Sequence, residues 1–208
     1  MIRILGRANS FNVRKVLWTC AELGLEFKRE DWGRGFRPTT DPEFLRLNPI
    51  ALVPAVIDGD VVLRESNTIV RYLVSKYAPE SPLYPQDLVQ RARAEQWMDW
   101  ANYETSISLR GAFLGGMLNE PPWNHPWFVE QGRRQITKEV GQVEEHLRTN
   151  GPYVTGEQFT VGDIPVGLVV NRWFHLNFER PEYPSVKRYY ELLTERAGYR
   201  AHVRNGFP

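Results

Sequence analysis

Apolar positions repeat with a short period at the start of this chain and with a helical period further on. Ile2–Leu5 is an apolar run that ends at Gly6. Val13, Val16, Leu17, Cys20 and Leu23 then recur at helical spacing, closed by Gly24. Residues 27–31 read as a second strand. Asp41-Pro42 starts a helix, with an N-cap residue followed by proline at the first helical position, and Asn48-Pro49 stops it. Residues 55–57 and 61–63 flank Asp58-Gly59-Asp60 and form a hairpin. Ser66–Tyr77 is helical, with Ile69, Tyr72, Leu73 and Tyr77 on one side. The order β-α-β-α-β-β-α predicts a small α/β sheet with a hairpin at one end and covering helices.

Ala78-Pro79-Glu80-Ser81-Pro82-Leu83-Tyr84-Pro85 cannot continue a helix and predicts a stiff, extended connector. No strand pattern follows it. Residues 88–118 read as one long helix, weakened near Gly115-Gly116, and a loop over 121–126 leads to a helix ending near Leu147. Thr160-Val161-Gly162-Asp163 has the form of a capping box, with Phe159 and Ile164 placed as a hydrophobic staple ahead of a helix to about His175. Helices over 185–196 and 199–203 finish the pattern. The expected organisation is a first domain over 1–78, a linker over 79–85 and an all-helical domain over 86–208.

Pro54 stands immediately before the predicted inner strand at Ala55. Proline has no N–H for a sheet ladder and is confined to edges, strand starts and bulges. Its peptide bond with Val53 is therefore a candidate for cis. That turn would leave the Val53 backbone facing outward, ready to pair with an extended peptide. Ser66 opens a helix whose first N–H groups and dipole attract a carboxylate. Together these describe a cleft for a small peptide with a free carboxylate. An ordinary strand–turn–strand–helix with a capping serine is the competing description.

Charge narrows the choice. With 26 basic and 25 acidic residues the net charge is +1, so no electrostatic case exists for nucleic acid or an anionic membrane. The single Cys20 excludes an internal disulfide framework and fits a reducing compartment. No secretory leader or membrane-length apolar run is present, which predicts a cytoplasmic protein. Among chemical motifs, a Gly-x-Ser-x-Gly elbow, a phosphate-cradling loop and a Cys-x-x-Cys pair are all missing. His125, His146, His175 and His202 share no ligand spacing, so no metal is expected. Cys20 lies on the apolar face of its helix and reads as a core thiol. Thiol chemistry in this cleft would need a thiol that arrives with a ligand.

Four segments in order carry a resemblance. They are Gly6-Arg7-Ala8-Asn9-Ser10-Phe11-Asn12-Val13-Arg14-Lys15-Val16, Asn48-Pro49-Ile50-Ala51-Leu52-Val53-Pro54, Leu63-Arg64-Glu65-Ser66-Asn67-Thr68-Ile69, and Phe159-Thr160-Val161-Gly162-Asp163-Ile164. With the proline hinge between them, the chain resembles a cytosolic glutathione transferase over essentially its whole length, most like the bacterial theta-like and nu-like enzymes. The resemblance implies a thioredoxin-like first domain, an all-α second domain, a homodimer and glutathione as co-substrate. Pro54 would be the cis-proline and Val53 the backbone partner of the cysteinyl part. Glu65 would accept from the α-amino group and Ser66 would take the α-carboxylate; such charge-assisted bonds are the strong ones. Thr160 and Asp163 match the family's structural capping box. Where the family carries Gly and then a cation before Val-Pro, this chain has Ala51 and Leu52, so the glycyl end needs another partner. Arg34 and Arg37 in the preceding loop are the candidates.

Two residues compete for the thiol. Ser10 aligns with the theta-like serine and Asn12 with the nu-like asparagine, both at the N-terminus of the first helix, where either residue type also serves as a simple cap. The expected chemistry is thiolate attack on a small hydrophobic electrophile. The thiolate would be favoured by the helix dipole and a hydrogen-bond donor. Phe11, Trp32, Phe113, Leu114 and Met117, with Trp173 as a further option, are candidates to line an apolar pocket between the domains. Each is also an ordinary core residue type. Disulfide or peroxide reduction, isomerisation, dehalogenation and non-catalytic ligand binding remain alternatives on the same site, the last favoured by Leu52. Dimer faces are expected on Ser66–Tyr77 and along Leu88, Arg91, Glu95 and Met98.

Overall fold

Strand alternation builds the first layer of this protein. The computed structural model describes residues 1–206 and 208. β1 (Ile2–Leu5), β2 (Phe27–Glu30), β3 (Ala55–Asp58) and β4 (Val61–Arg64) form one sheet in the order β2-β1-β3-β4. β1 and β2 are parallel, while β3 pairs antiparallel with β1 and with β4. The period of two sorts side chains by face. Ile2, Ile4 and Val56 join the core formed by α1 (Phe11–Glu22) and α3 (Ser66–Tyr77). Leu5 and Ala55 point the other way, onto Trp32 and onto Phe44 of α2 (Pro42–Leu47). Asp41 caps α2 by accepting from Glu43 N at 2.8 Å, as its sequence predicts.

The chain divides into two units, one of residues 1–81 with the stretch after Ala197, the other beginning at Pro82. This differs from the sequence expectation, which gave residues 86–208 wholly to the helical domain. The final helix, α8 (Ala197–His202), packs instead against α1. Tyr199 lies 4.9 Å from the Trp18 ring, and buried Arg14 donates to Val203 O at 3.1 Å and to Asn205 Oδ1 at 2.8 Å. Arg14 is polar and α8 carries no strong apolar stripe, so periodicity alone could not assign that contact.

The second unit contains α4 (Leu88–Leu109), α5 (Pro126–Asn150), α6 (Asp163–His175) and α7 (Pro184–Thr194). The expected helix over 88–118 is interrupted: after Leu109 the chain widens into a π-helical segment, Arg110–Gly115. A backbone-to-backbone approach accompanies the change. A Cβ at Gly132 of α5 would stand 2.5 Å from Ala112 N and 2.7 Å from Ser108 O. Glycine is therefore required there. Only half of the expected capping box forms. Thr160 N donates to Asp163 Oδ2 at 2.8 Å, but Gly162 holds the N-cap of α6 and the Thr160 hydroxyl accepts from Gly162 N instead of Asp163 N. Asp163 Oδ1 accepts from Val154 N and from the Tyr189 hydroxyl. Among the described residues no helix is long and apolar enough to cross a membrane.

The face expected to meet a partner is altered by packing. Met98 is fully buried within the chain. Arg91 donates to Pro85 O and lies 4.8 Å from the Tyr84 ring, and the Tyr84 hydroxyl donates to Glu95 at 2.5 Å. These side chains therefore fasten the proline connector to α4. Leu88, 76% exposed, is the open apolar member of that stripe.

Candidate functional site

The site begins where β1 ends. Gly6 has φ +153, and a Cβ there would collide with Val13 Cγ2 and stand 3.1 Å from Val53 Cβ. The missing side chain lets the strand exit, the start of α1 and the turn before β3 meet. Arg7 N donates to Trp32 O at 3.1 Å and Ser10 N to Arg7 O at 3.1 Å, which fixes the loop. Ser10 then takes the N-cap position of α1 with extended backbone, yet its hydroxyl makes no capping bond. Its position is that of a cap; its side chain does not act as one.

The turn before β3 is built by Asn48. This buried amide donates to Leu52 O at 2.7 Å and accepts from Ile50 N at 3.1 Å. The Val53-Pro54 bond is cis, as the proline's position suggested, and pairing of β3 begins at Ala55. Leu52 is 63% exposed. Arg37 is already occupied: its guanidinium lies 3.8 Å from the Trp32 ring and pairs with Asp41 at 3.4 Å and Glu43 at 2.7 Å.

α3 supplies the opposite wall. The sequence suggested Ser66 as its N-cap; the structure corrects this. Glu65 holds that position, at φ +66 and ψ 107, in a region where a side chain is strained. Ser66 is the first helical residue and is buried. Its hydroxyl donates to Asn12 Oδ1 at 3.2 Å. It also accepts from Lys15 Nζ at 3.3 Å, and Lys15 donates to Asn67 Oδ1 at 3.2 Å. Lys15 is fully buried, its Nζ 5.2 Å from the Phe11 ring. Burial pushes its amine down to about 7, and the Glu65 carboxylate opposes that shift.

Lys15 is the residue that sequence reasoning missed. On a helical wheel it falls beside the Val13–Val16–Leu17–Cys20 stripe, where a lysine normally reaches solvent. The sheet, α3 and α8 all pack on α1, and every residue from Val13 to Cys20 is buried, charged ones included. Cys20 is buried, as read, and its thiol is pushed up to about 12 by burial.

Of the pocket candidates, Phe11, Leu114 and Met117 keep exposed surface. Trp32 does not: it is enclosed by Phe44, whose ring lies 5.2 Å away, and by Arg37. Phe113 is also buried, with the Arg172 guanidinium 3.9 Å from its ring, and Trp173 is buried against Tyr183. These three are core residues, because large aromatic side chains here fill the layers beneath the surface. Among the described residues no group of three or more His, Cys, Asp or Glu is placed to hold a metal ion.

The arrangement joins an anion-seeking helix start, a buried lysine amine and two short polar side chains at the head of another helix. It suits a ligand with a carboxylate at one end and an ionisable group near Ser10 and Asn12. Comparison with known proteins identifies the family. Residues 2–75 match the family model "Glutathione S-transferase, N-terminal domain", and residues 128–197 match "Glutathione S-transferase, C-terminal domain". The chain is 35% identical over 205 residues to glutathione S-transferase GstB of Escherichia coli, covering 98% of each. It is 29% identical to glutathione S-transferase 3 of Zea mays, covering 97% of this chain and 93% of that protein. Among solved structures, a theta class glutathione S-transferase from Xanthomonas axonopodis pv. citri, with glutathione bound, superimposes with a TM-score of 0.92 at 35% identity. That alignment covers 100% of this chain and 99% of the other.

Proposed function

Because this chain belongs to the glutathione S-transferase family, we propose that its first unit binds glutathione between the starts of α1 and α3 and presents the thiol as thiolate. One observation carries the reading. Ser66 and Asn12, from two motifs read separately in the sequence, are hydrogen-bonded to each other at 3.2 Å over the buried Lys15 amine. A structural relative that contains bound glutathione supports the ligand's identity.

In this reading Ser66 donates to the α-carboxylate of the γ-glutamyl end and Glu65 accepts from its α-amino group. The Val53 backbone pairs with the cysteinyl part beside cis-Pro54. Ser10 donates to the sulfur, with Asn12 as the second choice. Ser10 is preferred because its hydroxyl is not engaged in capping. A thiol near its ordinary pKa of about 8.5 is mostly protonated at neutral pH. One hydrogen bond to the charged form and the α1 dipole together supply about 2 kcal/mol, enough for a shift of more than one unit. The thiolate then attacks a small hydrophobic electrophile: a carbon–sulfur bond forms and the leaving group departs with its electron pair. Phe11, partly exposed and placed between Ser10 and Asn12 in sequence, is the aromatic of the first unit proposed to line this side. The active species is a homodimer, with α3 and the exposed Leu88 end of α4 as its faces.

Leu52 favours a second reading, a member that holds glutathione without turnover, since an exposed leucine gives the glycyl carboxylate no cation. Calorimetry with glutathione, followed by turnover of chlorodinitrobenzene, separates the two. Binding with turnover supports the transferase, and binding alone supports the ligand-holding member. Absence of binding would reject both.

A further inference from the structure

Lys15 is a charged residue placed where folding alone would favour an apolar one. Its amine is fully buried and spends two of its donors on Ser66 Oγ and Asn67 Oδ1, at 3.3 and 3.2 Å. An ammonium can only donate. A serine hydroxyl that accepts from it must aim its own proton elsewhere, here at Asn12 Oδ1. Ser66 is thereby held as a donor at the first turn of α3, where a ligand carboxylate is favoured by the helix dipole as well.

We propose that Lys15 is a positioning residue of the γ-glutamyl subsite: from beneath Ser66 it orients that hydroxyl toward the ligand carboxylate and supplies the positive charge that faces it. This rests on the glutathione-binding reading above. When the carboxylate arrives it replaces Asn12 as the acceptor of the Ser66 proton and releases the Asn12 amide toward the thiol. Burial holds the Lys15 amine near 7, so at alkaline pH it is largely neutral unless an anion lies beside it. Ligand binding then draws one proton from solvent onto Nζ. The charged groups around α1 leave Lys15 to carry this linkage. Glu65 faces it from the turn before α3. α8 directs Tyr199 and His202 toward Arg14 instead, and the sheet presents Ile4 and Val56.

The test is calorimetry with S-hexylglutathione, which has no thiol to ionise, at about pH 8 in two buffers of different ionisation enthalpy. The wild-type protein should take up close to one proton more than Lys15→Gln. That variant should bind about ten-fold more weakly, the loss expected for one charged partner. In turnover its KM for glutathione should rise more than its kcat falls. Equal proton uptake in the two proteins removes Lys15 from the subsite. So does unchanged affinity in a variant whose circular dichroism matches wild type. If the wild-type protein itself fails to bind S-hexylglutathione, the glutathione site is wrong and this inference falls with it.

Discussion

The Ser66 hydroxyl donates to Oδ1 of Asn12 at 3.2 Å, joining two polar residues 54 positions apart in sequence at the heads of two helices. The residue proposed for the carboxylate is thus hydrogen-bonded to a residue proposed for the thiol. If the carboxylate binds at Ser66 as proposed, this bond would be exchanged for a charge-assisted one. On the proposed reading, one hydrogen-bonded chain, Lys15–Ser66–Asn12, would link the two ends of the ligand.

Ser10 and Asn12 can be separated by the ultraviolet titration of bound glutathione. Ser10→Ala should raise the bound thiol's pKa by about one unit and lower turnover more than affinity, since the lost bond favours charged sulfur. Asn12→Ala should do less. The reverse result would make Asn12 the thiol partner and favour the disulfide-reducing alternative.

Ser66→Ala should cost about 1–2 kcal/mol of glutathione binding, roughly ten-fold in affinity. Ser66 is not the cap of α3, so any loss of stability should come from the buried Lys15 amine losing an acceptor. Calorimetry showing unchanged affinity in both Ser66→Ala and Glu65→Gln places the ligand elsewhere.

Glu65 pays for its place with a φ of +66. Glu65→Gly should relieve that strain and stabilise the chain by about 1 kcal/mol after the glycine's own entropy is counted. It should also weaken glutathione binding. Chemical denaturation and calorimetry on one preparation read both effects, and a less stable variant contradicts the strain.

Lys15 should make the ligand-free protein more stable as pH rises. Its folded pKa is lowered to about 7 from the ordinary 10.5, so between these values the unfolded chain binds more protons than the folded one. Stability therefore climbs through that window, with a slope of up to about 1.4 kcal/mol per pH unit. Urea denaturation of the wild-type protein and Lys15→Met across this range should give a climbing curve for the first and a flatter one for the second. Parallel curves would show that the amine stays charged.

Gly132→Ala should lower the melting temperature sharply, because its Cβ would meet backbone at 2.5 and 2.7 Å and backbone cannot step aside as a flexible side chain does. A thermal melt close to wild type would mean that α5 can shift outward from the π-helical segment at little cost.

Much of the frame was legible because it rests on local rules. The alternation in β1 and β3, the Asp41-Pro42 helix start and the Thr160–Asp163 motif each carry their own signal. Pro54 before an inner strand pointed to a cis bond for the same reason. What stayed hidden depends on distant partners. Burial of Lys15 and Arg14 needs α3 and α8 to close over α1. Enclosure of Trp32 needs Phe44 and Arg37. The break after Leu109 answers to the close approach of Gly132. The strained backbone at Glu65 is invisible in composition, because glutamate gives no warning of a positive φ.

The return of α8 to α1 also sets an order of events during synthesis. Trp18 and Arg14 emerge from the ribosome long before Tyr199, Val203 and Asn205, the groups that cover and satisfy them. Domains ordinarily fold from the N-terminus as they are made. Here the first unit must wait with an indole and a guanidinium uncovered until the whole helical unit has been translated. A nascent chain halted before residue 197 should present that face to chaperones, and fusions or truncations at the C-terminal end should trouble the N-terminal half of the protein first.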